Sequence, residues 1–235
     1  METNALIKMV GVPALGITIM PAPLLTREEL LNRLHDVFRR YGYEGASMSR
    51  IAAATGLGKA SLYHHFPGGK EQMAACVIDA RRSWYEENLF RPMESVHPPR
   101  QRLTNMLSTL DQAYEGGEKA SLPGLLALTV ERDMFAEAIS EFFQRWLDCM
   151  TQLLIDAGLA RDIATRRAQD GVQRIQGALM LSRAYGDRKP FSSLLSELPD
   201  QMLAGADRGN IWSSRSPRLP TAPAGFSTHA HALRQ

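Results

Sequence analysis

The side chains in this chain best suited to grip a polyanion are packed into one short run. From Gly56 the sequence reads Gly-Leu-Gly-Lys-Ala-Ser-Leu-Tyr-His-His-Phe. If the run from about 58 to 64 is helical, Leu62 turns inward and Lys59, Ala60, Ser61, Tyr63 and His64 face out. A lysine and hydroxyls on one exposed helical face are the chemistry of contact with phosphates and base edges. Lys59 and Ser61 are the candidates for base-edge or adjacent phosphate contact.

That face needs a scaffold, and the preceding residues supply one. Leu30, Leu34, Val37, Phe38 and Tyr41 recur at three- and four-residue steps, predicting a first helix with one apolar stripe. Thr26 with Glu29 three residues on is a capping-box pattern at its start. Gly42 and Gly45 end it, tolerating the left-handed backbone that helix ends require. Ser47 can cap a second short helix that buries Met48, Ile51 and Ala52, and Gly56 then turns the chain with Leu57 tucked back. Phe66 closes the base of the third helix. Three short helices with this central turn have the spacing of a helix-turn-helix, whose main use is to set a helix in the DNA major groove.

The run IAAATGLGKASLYHHFPGGKEQM resembles the DNA-binding segment of the TetR family of bacterial transcriptional regulators. The turn glycine, the Leu-Tyr-His-His-Phe run and the following Lys-Glu carry the likeness. It implies that Tyr63, His64 and Lys70 meet phosphates, and that Ser47 and Ser49 sit where the second helix meets the DNA backbone. It also implies a homodimer on a pseudo-palindromic double-stranded operator.

Charge supports that use. The whole chain is only +2, but positions 26–70 hold seven basic and four acidic residues, so that segment is +3 and the remainder −1. Cys76 and Cys149 are the only cysteines, too few and too isolated for a disulfide framework or a zinc site, so a cytoplasmic protein is expected. Residues 9–25 are apolar but broken by Gly11, Pro13, Gly16, Pro21 and Pro23, too punctuated to span a membrane. Positions 1–25 are therefore expected to be disordered or mis-annotated, with translation starting at Met20. From 205 onward Pro, Ser, Ala, Gly and Arg dominate without periodicity, which predicts a disordered tail over 205–235.

Between 71 and 204 everything reads as helix. A connecting helix through Met73, Val77, Ala80 and Trp84 is expected to end near Phe90, before Pro92. A helix over about 99–114 puts Leu103, Met106, Leu107 and Leu110 inward, and the short apolar piece LPGLLALTV follows. Phe135, Ile139, Phe142, Trp146, Met150 and Leu153 then form the strongest period of the chain. Positions 164, 168, 171, 175, 178 and 182 are Ala, Ala, Gly, Ile, Ala and Ser, a small-residue face that lets another helix approach closely. A last helix spans about 190–203, limited or kinked by Pro199. The fold class is thus all-α: a three-helix head (26–70) on a larger helical regulatory and dimerisation body (71–204).

The order of these helices, and the run from Phe135 through RIQGALMLSRAYGD, is similar to the regulatory half of one subset of the TetR family. The likeness implies a small, largely apolar effector in a pocket, to which Trp84, Met106, Leu110, Leu126, Phe142, Trp146 and Met180 are assigned. It also implies a subunit interface on the last two long helices, with Ala168, Gly171, Ile175, Ala178 and Ser182 at the crossing; the alternative is that this small-residue face packs inside one subunit.

Catalytic constellations are missing from the sequence. The Gly-Gly pairs at 68–69 and 116–117 sit between helices, and His64 and His65 point about 100° apart on a helix, a poor chelating geometry. Glu86 and Glu87 read as an exposed pair, and there is no Gly-x-Ser-x-Gly elbow. No cofactor, metal site or catalytic residue is expected. The competing reading is a DNA-processing enzyme of the recombinase type, which would need a nucleophile with clustered arginines in a further catalytic domain. A helix-turn-helix protein that has lost DNA binding is disfavoured by the intact basic head.

Overall fold

The computed structural model describes residues 25–206, and this stretch is helical with no strand among the described residues. Helix α1 (Arg27–Gly45) opens on the expected capping box: the Glu29 amide donates to Thr26 Oγ1 at 3.2 Å and the Thr26 amide to Glu29 Oε2 at 2.8 Å. The helix is broken at Gly42, whose φ of +69° is one an L side chain rarely adopts. The break turns Tyr43 into the core. Tyr41, expected on the buried stripe, is 38% exposed instead, because the break comes one residue after it.

Helix α2 (Met48–Thr55) is capped by the Ser47 hydroxyl, which accepts from the Arg50 amide at 3.3 Å. It ends at Gly56 with φ +74°. The buried Thr55 hydroxyl secures the turn, donating to the Ile51 carbonyl at 2.8 Å and accepting from the Leu57 amide at 3.3 Å. Helix α3 (Lys59–His65) follows, with Leu62 and Phe66 fully buried.

Helix α4 (Gly69–Tyr85) leaves the head and enters the body. It does not stop before Pro92. It widens into one π turn (Glu86–Phe90), in which the Arg91 amide reaches back to the Glu86 carbonyl, and continues as α5 (Arg91–Met93). Wider hydrogen-bond spacing is one way a helix absorbs a proline, which has no amide proton to give. Then come α6 (Pro99–Ala113), the short α7 (Leu122–Leu126), a 3₁₀ stretch (Val130–Phe135), α8 (Ala136–Asp156), α9 (Arg161–Tyr185) and α10 (Lys189–Met202).

Two apolar clusters result. One lies in the body, built from α6, α8, α9 and α10 around Trp146 and Met150. The other lies beneath the head and is not made by α1–α3 alone. It takes in Met73, Ala74 and Val77 of α4, Leu122 and Leu126 of α7, and Phe135 and Ile139 at the start of α8.

The small-residue face of α9 has a use other than the expected subunit crossing. Ala168, Gly171, Ile175, Ala178 and Ser182 are all buried within the single chain. A Cβ on Gly171 would stand 3.0 Å from Met202 of α10. Ser182 Oγ accepts from the Phe191 amide at 3.0 Å, and a Cβ on Gly117 would stand 3.1 Å from Ser182 Cβ. Small residues here let α10 and the turn after α6 close onto α9. Among the described residues no helix is long and apolar enough to cross a membrane.

Candidate DNA interface and internal cavity

The α2–α3 unit is held from behind, leaving its outer face open. Leu62 and Ile51 anchor the two helices, while Lys59, Ala60, Ser61, Tyr63 and His64 are exposed, Tyr63 by 50%. Ser49 is exposed as well, and Ser47 is occupied as the α2 cap.

Lys70 is placed differently from the expectation of a phosphate-facing side chain. Its Nζ donates to the Tyr43 carbonyl at 3.1 Å, lies 4.2 Å from the Tyr43 ring centre and 3.8 Å from Glu44 Oε2. It ties the start of α4 to the end of α1. Other head cations are engaged in the same way. Arg39 is 8% exposed and links α1 to α6, donating to Asp36 Oδ1 at 2.6 Å and to the Ala113 carbonyl at 3.1 Å. The +3 count therefore overstates the charge available to a partner.

Arg40 and Arg50, counted in the sequence only as charge, both lie against the Tyr41 ring. Their guanidinium carbons lie 5.3 and 4.6 Å from its ring centre, and Arg50 also donates to the Gly45 carbonyl at 2.6 Å. An exposed aromatic in contact with two arginines presents a cationic patch beside the α2 cap. The signal was present as Arg39-Arg40-Tyr41 and Arg50, but the break at Gly42 had to be known before Tyr41 could be turned outward.

Behind the head lies a cavity of about 550 Å³. It is walled by α4 (Ile78, Arg81, Arg82, Tyr85), the π turn (Glu86, Phe90), α7 (Leu122, Leu126) and α8 (Ile139, Phe142, Arg145). Of the seven residues assigned to a pocket, Leu126 and Phe142 line it. Met106, Leu110 and Trp146 are packed solid in the body core. Trp84 borders a second, smaller polar cavity of about 200 Å³. Met180 is 58% exposed; it lies two residues beyond Ala178, about 200° round the helix from the buried face. An apolar period marks what points inward, and cannot separate a filled interior from a hollow one.

Most charges in the cavity wall are paired. Arg145 donates to both Glu86 (3.0 Å) and Glu94 (2.6 Å), and these bonds raise its pKa well above the ordinary arginine value. Arg82 pairs with Glu141. Glu86 is thus half-buried and ion-paired rather than half of an exposed acidic pair. Burial pushes the Cys149 thiol up to about 12, which leaves it protonated and unreactive at neutral pH.

The family model for the N-terminal domain of bacterial regulatory proteins of the tetR family matches residues 30–77, and the model for the LmrA/YxaF-like regulator C-terminal domain matches residues 99–196. The chain belongs to the TetR family. Its curated relatives include the regulator LmrA of Bacillus subtilis (strain 168), 27% identical over 74% of this chain and 95% of that protein. Another is the repressor DhaR of Mycobacterium sp. (strain GP1), 23% identical over 77% and 94%. Among solved structures, the TetR-family regulator CifR, as a cysteine mutant determined with a 26-bp double-strand operator DNA, superposes with a TM-score of 0.62. That match is at 21% identity over 78% of this chain and 98% of that one, so it speaks for the shared fold. The chain is a TetR-family transcriptional regulator, with the α2–α3 unit as its DNA-binding motif.

Proposed function

We propose that this TetR-family protein is a cytoplasmic repressor that binds a pseudo-palindromic operator as a homodimer and is released when a small molecule fills the 550 Å³ cavity. One observation carries the reading: Leu122, Leu126 and Ile139 belong both to the cavity wall and to the apolar cluster under the head. A molecule that displaces those side chains acts on the support of α1–α3 directly. Release requires that it bind the non-DNA conformation more tightly.

In this reading Lys59 and Ser61 meet base edges or adjacent phosphates, and Tyr63 and His64 meet phosphates. Arg40 and Arg50 join them, with Lys70 acting instead as a tether of the head. The naming of DhaR as a repressor and the operator complex of CifR support the assignment. With the small-residue face of α9 used internally, the subunit interface is assigned to the outer side of the same helix, where Met180, Leu181 and Tyr185 are 58%, 45% and 70% exposed.

The test is to recover bound genomic fragments, define the operator and titrate it by fluorescence anisotropy at fixed salt. A two-fold symmetric site with two subunits per half-turn-related pair of heads is expected, and Lys59→Ala should weaken it while leaving the fold intact. Nicked or covalently joined DNA product would favour the recombinase reading instead.

A further inference from the structure

Arg81 stands out among the cavity arginines because it has no acidic partner within ion-pair distance among the described residues, whereas Arg82 and Arg145 are both paired with glutamates. Its Nη2 donates instead to a neutral acceptor, Asn32 Oδ1 of α1, at 2.7 Å. Arg81 and Tyr85 line the apolar cavity and the smaller polar cavity against α1, so together they form the wall between the two. On the α1 side of that wall His35 is 7% exposed, and its Nε2 is buried without a hydrogen-bond partner among the described residues. Arg39 is already held by Asp36 and Ala113.

A half-buried guanidinium on an apolar wall, hydrogen-bonded to an amide and set 5.7 Å from the Trp84 ring centre, is a positive charge without an ion-paired carboxylate. Burial lowers the Arg81 pKa from the ordinary arginine value, with the Arg39 charge adding to it, and Tyr85, Asp36 and Glu28 offset this only in part. A carboxylate, sulfonate or acidic phenol entering the cavity offers a stronger, charge-assisted bond than the Asn32 amide does.

We propose that the effector is an apolar molecule bearing one acidic group, and that Arg81 binds that group by letting go of Asn32 on α1. This rests on reading the cavity as the effector site. Arg81 is then the residue through which occupancy of the body is felt by the first helix of the head, and Asn32 is the contact that is lost. Asn32 is exposed, so it can be replaced without touching either core.

The test uses a matched pair of probes on the full chain: 8-anilinonaphthalene-1-sulfonate, apolar with one acidic group, and N-phenyl-1-naphthylamine, the same body without it. The sulfonate should bind about ten-fold more tightly than the neutral probe. Arg81→Gln should abolish that preference and leave the neutral probe's affinity unchanged. Asn32→Asp, which supplies Arg81 with its own carboxylate, should weaken the sulfonate by about ten-fold and again spare the neutral probe. Hydrogen exchange across residues 27–41 should rise with the sulfonate and not with the neutral probe.

Equal binding of the two probes, or a preference that survives both substitutions, overturns the proposal while leaving the cavity as a binding site. Unchanged exchange in α1 on saturation overturns the role of Asn32. Ala138→Trp, which places a large ring on the cavity wall outside either core cluster, should weaken both probes. If both bind that variant with unchanged affinity, the probes sit elsewhere and the cavity reading itself fails.

Discussion

Head and body bury similar kinds of residue and use their polar groups in opposite ways. In the head, short helices meet at sharp turns, and nearly every polar side chain near a turn caps or ties something: Thr26, Ser47, Thr55 and Lys70 each close a backbone end or a helix junction. In the body, long helices meet along their lengths, and side-chain size governs contact: Gly171 under Met202, and Ala164 and Ala168 at zero exposure. Short elements are specified by local chemistry, because their ends are a large fraction of their length. Long elements are specified by which of several faces finds a partner, and that is a non-local matter.

Four measurements test that contrast. The largest effect is expected in the body core. Trp146→Ala removes a fully buried ring from the larger cluster and should cost ~3–5 kcal/mol by denaturant unfolding. A loss below ~1 kcal/mol would mean that the body is not the stability-determining packing region. Next is Gly171→Leu, which forces a side chain against Met202 and should cost ~1–3 kcal/mol through overpacking. Size-exclusion with light scattering should show the assembly state unchanged, since this contact is internal to one chain. Dissociation without loss of subunit stability would return the small-residue face to the subunit interface.

The third concerns the junction between the two regions. Burial first, then the charges of Arg81, Arg39 and Lys119, push the His35 imidazole down to about 2. His35 is therefore neutral when folded and takes a proton only on unfolding below its ordinary value near 6.5. Folded stability is then intact above that value and is lost progressively as pH falls from about 6.5 toward about 2. Between pH 7 and pH 5 the wild-type chain should lose ~2 kcal/mol that a His35→Gln variant keeps. Parallel pH profiles for the two would show that the head–body junction is solvated rather than closed.

The smallest effect is expected at the exposed surface. Tyr63 is half exposed, and Tyr63→Phe removes one hydroxyl without altering packing. It should leave thermal stability unchanged and weaken DNA by ~0.5–1.5 kcal/mol, equally for operator and unrelated sequences. A change confined to the operator would make Tyr63 a reader of bases.

The legibility of this chain follows the same division. The α1 cap, the Ser47 cap, the Gly56 turn and the buried Leu62 could be read directly, because each depends on residues within four positions. Tyr41 falls on the apolar stripe by period alone, but one glycine, Gly42, breaks the helix just beyond it. The connecting helix was cut short because a π turn compensating Pro92 leaves no pattern in residue types. The cavity was the least legible feature. Arg81 and Arg145 look like solvent-facing charges on paper, and only the approach of α4, α7 and α8 to one another makes them line a half-open cavity.

The sequence by itself determined an all-α chain, a helix-turn-helix head, the exposed face of α3 and the family, all of which rest on short-range spacing and capping chemistry. Tertiary structure alone decided three things. It set α10 rather than a second subunit against the small-residue face of α9. It turned Lys70 from a candidate DNA contact into an internal tie, and tied Arg39 to the body as well. It also left a hollow between α4, α7 and α8, walled toward the head by Arg81 and Tyr85. Each depends on which helix meets which face across tens of residues, and a one-dimensional period records that a face is apolar without recording what covers it.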